Sequence, residues 1–207
     1  MRRRFFLALP VAACGLFLAL GGCGKKGPRL PRVDAGGTIL AFGDSLTFGT
    51  GARPDESYPA VLERLIARKV VRAGVPGEVT EQGLARLPEV LEEFAPQLLI
   101  LCLGGNDMLR HGDEASAAEN LRAMIRLAQD KGAAVVLLAP PRPSLLSAAP
   151  EFYTTLAQEF RIPLEAKVLP AVLSDRSLKS DLIHPNAKGY ARIAEQLAKL
   201  LKDAGAL

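Results

Sequence analysis

Thr38-Ile39-Leu40-Ala41-Phe42-Gly43-Asp44-Ser45-Leu46 is a short apolar run that stops at a glycine and gives way at once to an acid and a hydroxyl. The run shows no polar alternation, which is the pattern of a strand buried on both faces. Similar runs recur at Lys69–Arg72, Leu98–Leu103 and Ala133–Ala139, the last stopped by Pro140 and Pro141, and Leu164–Val168 reads as a short fifth strand. The segments between them carry helical spacing. Tyr58–Arg68 places Val61, Leu62, Leu65 and Ile66 on one side, and Thr80–Phe94 does the same with Leu84, Leu87, Val90 and Leu91. Glu114–Gln129, Phe152–Phe160 and Asn186–Lys202 complete the series. Apolar strands alternating with helices predict an α/β fold whose parallel sheet is covered on both faces. No internal repeat and no second domain is visible, so residues 37–207 read as one domain. In such folds the ligand crevice lies outside the carboxyl ends of the strands, and chemistry is sought there.

The 207 residues carry a net charge of +4, which invites a nucleic-acid reading. The distribution argues against it. Residues 1–22 hold three arginines and no acid, and residues 24–36 hold Lys25, Lys26, Arg29 and Arg32 against Asp34. Taking +3 for each of these segments from the total leaves about −2 for everything after Gly36. The basic balance belongs to the N-terminal appendages, and no nucleic-acid surface is expected on the domain.

Those appendages read as an address. Arg2–Arg4 precede an apolar run, Phe5–Leu20, broken by Pro10. The run is short and ends in small residues, so residues 1–22 fit a cleaved export signal rather than a spanning helix. Leu20-Gly21-Gly22-Cys23 resembles the bacterial lipobox, which implies that Cys23 is acylated and becomes the new N-terminus. Residues 23–36 are then a lipidated cysteine followed by a flexible basic tether, its cations near anionic head groups. A plain export signal or an uncleaved anchor with an incidental cysteine is the alternative. Gly24 stands where an inner-membrane retention signal of the enterobacterial type would place Asp. The expected location is therefore the cell envelope, with the domain in the periplasm and the outer membrane favoured. Of the other cysteines, Cys14 lies in the leader and Cys102 in a buried-strand run, so no disulfide framework is expected.

Three motifs fall at the expected crevice. Gly43-Asp44-Ser45-Leu46 follows the first strand, where a serine at a sharp turn can present both its hydroxyl and its own N–H. Gly104-Gly105-Asn106-Asp107 closes the third strand, and the Asn106 amide is a donor able to stabilise an oxyanion. Asp181-Leu182-Ile183-His184-Pro185-Asn186 precedes the last helix, with Pro185 suited to a helix start. An Asp three residues before a His can fix its tautomer and leave the far nitrogen free as a base. The chain has two histidines, His111 and His184, so the choice of base is sharp. Each motif alone has an ordinary structural use, as a turn or cap.

Together and in this order they resemble the SGNH (GDSL) hydrolase family, in particular its periplasmic thioesterase, lysophospholipase and arylesterase branch. The resemblance runs from about Thr38 to Leu200. It is strengthened by Gly77, which matches the glycine of the family's second block, and by Gln82-Gly83-Leu84-Ala85-Arg86-Leu87-Pro88 behind it. It implies a three-layer α/β/α flavodoxin-like sandwich with a five-stranded parallel sheet. It also implies a serine ester hydrolase that works through an acyl-enzyme with no metal or organic cofactor. By the same resemblance Ser45 is the nucleophile, His184 the base and Asp181 its orienting acid. The backbone N–H groups of Ser45 and Gly77 and the Asn106 amide would form the oxyanion hole. Asp44 and Asp107 are expected to be structural, tying turns through backbone N–H groups.

One departure concerns the loop that presents Gly77. Arg72 stands where the branch usually has Asn, and Gly74 where it has Ser. The resemblance places the acyl chain between Met108–Asp113 and Pro140–Pro150, and the second of these is apolar and stiff, with four prolines besides Leu145 and Leu146. That suits a short or medium acyl chain on a small ester, thioester or lysophospholipid. Two other readings compete: an envelope glycan O-deacetylase, and a non-catalytic lipoprotein scaffold. No exposed apolar helix calls for an obligate partner, so a monomer is expected, contacting the membrane through its lipid alone.

Overall fold

The computed structural model describes residues 27–143 and 148–207. The leader, Cys23 and the Leu145–Leu146 pair of the acyl loop therefore lie outside the described residues.

Five parallel strands form one sheet: β1 (Thr38–Gly43), β2 (Lys69–Gly74), β3 (Leu98–Cys102), β4 (Ala134–Leu138) and β5 (Leu164–Glu165), in the order β2-β1-β3-β4-β5. Among the described residues eight α-helices accompany them: α1 (Ser45–Phe48), α2 (Tyr58–Ile66), α3 (Thr80–Phe94), α4 (Gly105–Leu109), α5 (Glu114–Asp130), α6 (Glu151–Phe160), α7 (Val168–Ser174) and α8 (Ala187–Ala204). Because neighbouring residues of a strand point to opposite faces, β1 feeds two cores. Ile39 and Ala41 pack with Tyr58, Leu62, Tyr190, Ile193 and Leu197 of α2 and α8. Leu40 and Phe42 pack with Leu87, Leu121, Met124 and Ile125 of α3 and α5. This is the three-layer sandwich expected from the alternation of runs.

Two expectations change. The fifth strand ends at Glu165 rather than Val168, because the buried Glu165 carboxylate accepts the N–H groups of Lys167 and Val168, both at 2.8 Å, and starts α7. The sequence Leu-Glu-Ala-Lys-Val cannot announce that its glutamate turns back to cap a helix. The flexible-tether reading of residues 23–36 is also corrected over the part described. Leu30 N–H donates to Ala204 O at 3.0 Å and Val33 N–H to Ala206 O at 2.8 Å, while Val33 is buried. These bonds serve carbonyls at the end of α8 that lack helical partners. Glycine, proline and charge hid two apolar anchors, Leu30 and Val33.

The departures at 72 and 74 are both used. A Cβ on Gly74 would lie 2.2 Å from the Phe48 nitrogen and 2.7 Å from Asp44 O, so the turn carrying Ser45 rests directly on β2. Arg72 donates to Phe48 O at 2.9 Å and sits over the Phe48 ring, holding the far end of α1.

Candidate active site

Ser45 opens α1 immediately beyond the carboxyl end of β1, with Asp44 as its N-cap. The cap is made in the usual way, a carboxylate accepting the N–H of the second helical residue: Asp44 Oδ1 takes Leu46 N–H at 3.0 Å. A buried hydrogen bond between Thr47 and the Tyr58 hydroxyl, 3.0 Å, ties the same turn to α2.

His184 approaches Ser45 from the loop before α8. Its Nε2 lies 3.0 Å from Ser45 Oγ, and its Nδ1 lies 2.8 Å from Asp181 Oδ2. The other Asp181 oxygen, Oδ1, accepts the N–H groups of Ile183 and His184, both at 2.8 Å. Partial burial pushes this carboxyl up. The bonds from the His184 ring and the two backbone N–H groups outweigh it and hold Asp181 below the ordinary carboxylate range. The loop is pinned at both ends: Ser180 N–H donates to His184 O, and Asn186 N–H donates to Leu178 O while its side chain caps α8. The carboxylate fixes the Nδ1 proton, so Nε2 faces the serine hydroxyl as an acceptor.

Asn106 lies one residue inside α4, beyond the end of β3. Its Nδ2 donates to Asp44 Oδ2 at 3.2 Å and to Glu78 O at 3.0 Å. Asp44 is therefore more than a cap. Burial pushes its carboxyl up to about 7; the Leu46 N–H opposes this, and the nearby Glu78 and Asp107 add to it. Between the ordinary carboxylate value and about 7, the folded chain keeps a proton that the unfolded chain has released. Stability from this group therefore falls as pH rises through that window. Urea midpoints at about pH 5 and about pH 8 should drop more for the natural chain than for Asp44→Asn, and equal drops would remove Asp44 as the cause.

Gly77 has a left-handed backbone, φ +79°, which suits glycine. Its carbonyl accepts from Arg110 Nη2 at 2.7 Å. Among the described residues its N–H and that of Ser45 have no hydrogen-bond acceptor. Gly77 is not among the residues lining the cleft of Ser45, His184 and Asn106; it lies beside that cleft, next to Glu78, whose carbonyl accepts from Asn106. Besides Asp44 and Gly105, the remaining walls are Leu46, Leu109, Pro140, Pro141, Pro143, Leu173 and Ile183, a mainly apolar lining. His111 is exposed and not among the residues lining the cleft.

Of two further supports, Glu78 with Arg86 has almost no signature in the sequence, and Asp107 was expected. Glu78, buried, receives two bonds of 2.7 Å from Arg86, whose guanidinium lies 4.0 Å above the Phe42 ring and also reaches Ala73 O. Asp107 accepts the N–H and hydroxyl of Thr80, as its expected turn-tying role requires. Both fix the Gly74–Val79 loop against α3. The only hint was that a helix with a stripe of leucines places Arg86 between Leu84 and Leu87.

The geometry on its own is that of a nucleophile, base and orienting acid. The pattern described as the GDSL-like lipase/acylhydrolase family matches residues 41–192. The chain is 32% identical over 179 residues to the thioesterase 1/protease 1/lysophospholipase L1 of Escherichia coli strain K12, covering 83% of this chain and 86% of that one. It is 32% identical over 196 residues to esterase TesA of Pseudomonas aeruginosa, covering 89% and 97%. A crystal structure of TesA superposes with a TM-score of 0.72 at 31% identity, over 81% of this chain and 99% of that one.

Proposed function

Because this chain belongs to the GDSL-like lipase/acylhydrolase family and is an SGNH-type serine ester hydrolase, we propose that Ser45, His184 and Asp181 are its catalytic trio and that it acts on short to medium acyl esters from a lipid anchor at Cys23. The observation that carries the trio is the unbroken hydrogen-bond chain from Asp181 through His184 to Ser45, 2.8 and 3.0 Å, at the carboxyl edge of the sheet. Ser45 Oγ attacks the acyl carbonyl as His184 Nε2 takes its proton. Asp181 stabilises the imidazolium that results, and His184 then returns the proton to the departing alcohol or thiol. Water repeats the sequence on the acyl-enzyme, with His184 again as base.

The negative oxygen that develops needs donors, and the N–H of Ser45 and of Gly77 with the Asn106 amide fill that role in this reading. Asn106 gives up its longer bond, the one to Asp44, as the oxyanion forms. Asn106→Ala is expected to lower kcat by about 10²–10³-fold with little change in KM. A loss confined to KM would show that Asn106 binds substrate rather than the developing charge.

The apolar lining supports an acyl chain rather than a glycan hydroxyl array. The chain purified as made should hydrolyse p-nitrophenyl esters best at short or medium acyl lengths and fall away toward palmitoyl. A maximum at palmitoyl would overturn the chain-length reading, and folded protein inert on every length would overturn the trio. The anchor rests on Leu20-Gly21-Gly22-Cys23 behind an apolar leader. Cys23→Ala should abolish incorporation of labelled fatty acid and leave any remaining membrane attachment removable by high salt. Two or more acyl chains give stable attachment where one would not.

A further inference from the structure

We infer that the edge of the sheet opposite Ser45 is a docking face for the anionic phospholipid head groups of the membrane that holds the chain, and that it turns the cleft away from that membrane toward esters arriving from the aqueous side. The orienting part of this inference rests on the lipid attachment proposed at Cys23.

All five strands are parallel, so the two edges of the sheet are different surfaces. The carboxyl edge holds Ser45, Asn106 and the His184 loop. The amino edge collects the starts of the strands and the end of α8, and it is where the N-terminal segment joins the domain. That segment is fastened there from Arg29 onward: Arg29 Nη1 donates to Asp203 O at 3.0 Å, and Leu30 and Val33 bond Ala204 and Ala206. Five residues lie between Cys23 and Arg29, so the six chain steps reach at most about 22 Å fully extended. The 18 residues of α8 span about 27 Å between the Asn186 cap beside His184 and the Ala204 end beside Leu30. A lipid at Cys23 therefore holds the amino edge close to the bilayer and leaves the cleft at the far end of α8.

The charges at that edge fit such a surface. Arg29 and Arg32 in the N-terminal segment, Lys69 at the start of β2, Lys131 before β4, Arg161 before β5 and Lys202 at the end of α8 are all exposed. None of the six is in an ion pair among the described residues, whereas Lys199 beside them is paired with Asp203. Of the acids at the same edge, Asp34 bonds Gln97 and Glu63 accepts Val70 N–H, while Glu92, Glu93 and Asp130 stand exposed at the ends of α3 and α5; the six unpaired cations outnumber these five acids. The carboxyl edge carries exposed Asp113, Asp175 and Asp181 beside exposed Arg110, Arg176 and Lys188, so it has no such excess of cations. A domain whose residues beyond Gly36 sum to about −2 thus keeps unpaired cations on one end. Cations within a Debye length of an anionic leaflet are attracted to it, and acids held farther away are not repelled. The exposed apolar side chains Leu182, Phe48 and Leu109 belong to the other edge, near Ser45, where they can meet the acyl part of an incoming ester.

The test uses the full chain as made, its fatty acid content measured first. Placed in vesicles of phosphatidylcholine with a minority of phosphatidylglycerol, it is given p-nitrophenyl butyrate in solution and a fluorogenic ester anchored in the same bilayer. Relative to detergent micelles holding both substrates, the soluble ester should keep its rate and the anchored ester should lose at least about tenfold, an effect that high salt weakens. An anchored ester cleaved as fast in vesicles as in micelles overturns the orientation and puts the apolar rim on the lipid. A second measurement tests the face without the anchor: Cys23→Ala chain should sediment with the same vesicles but not with pure phosphatidylcholine. Adding Lys69→Gln, Lys131→Gln, Arg161→Gln and Lys202→Gln should abolish this while the soluble-ester rate, which reports folding, stays unchanged. No binding to the anionic vesicles overturns the docking face. Absence of fatty acid with binding intact removes only the lipid attachment, and with it the orientation.

Discussion

Replacing Ser45 by alanine is expected to lower kcat on a soluble ester by roughly 10⁶-fold and to leave the fold as it is. The size follows from what the hydroxyl does: without it there is no acyl-enzyme, and the imidazole of His184 has no proton to take. What survives is the contribution of the oxyanion donors and of substrate binding, about 10³–10⁴ over water. The fold should be indifferent because, among the described residues, the Ser45 hydroxyl bonds only His184. The turn itself is held by the Asp44–Leu46 cap, by the Gly49 and Thr50 N–H groups on Ser45 O, and by Thr47 against Tyr58. Unfolding midpoints of the two proteins should therefore coincide. Residues that act as a unit lose their value together, so Ser45→Ala combined with His184→Ala should be no slower than Ser45→Ala alone. A Ser45→Ala protein retaining a hundredth of the natural rate, free of contaminating enzyme, would remove Ser45 as the nucleophile.

The parts of this molecule that could be read from the chain are those fixed by local chemistry. A strand buried on both faces must be apolar throughout, so β1, β3 and β4 announce themselves, and the glycines that end β1 and follow β3 mark the edge where side chains turn into the crevice. With two histidines in the chain, the loop that carries Asp181 and His184 was nearly forced. The rest depends on partners distant in sequence. Nothing near Glu78 says that Arg86 will be folded over Phe42 to meet it. Nothing near Asp44 says that Asn106 will lie against it and that burial will shift its titration. The docking of residues 29–33 was missed for a related reason: composition reports that a segment resists forming a helix or strand of its own, and is silent on whether another element's unpaired carbonyls will hold it. Gly77 marks the other limit. Its left-handed backbone suits the glycine that family likeness pointed to, yet the Gly77 carbonyl is held outside the cleft, by Arg110.

Asp181→Asn is expected to cost about 10⁴-fold in kcat, and the reason is specific to this loop. The Oδ1 atom of Asp181 accepts two backbone N–H groups, from Ile183 and His184. An asparagine at 181 must keep its carbonyl oxygen there, since an amide nitrogen would face two donors. Its NH₂ group then points at Nδ1 of His184, where Oδ2 now lies at 2.8 Å. A donor at that position forces Nδ1 to be the acceptor and places the ring proton on Nε2, opposite Ser45. The imidazole becomes a donor to the hydroxyl it should deprotonate. Alanine at 181 imposes no tautomer. It frees the two N–H groups, but the position is half exposed, with 52% of the Asp181 side chain accessible, so water can serve them. Asp181→Ala should consequently be at least as active as Asp181→Asn, although it removes more of the residue. The ring-nitrogen chemical shifts of His184 report the tautomer directly and should show the proton on Nε2 in Asp181→Asn. If they instead place it on Nδ1, or if the asparagine variant outruns the alanine variant, then Asp181 contributes through its charge and not by fixing the tautomer.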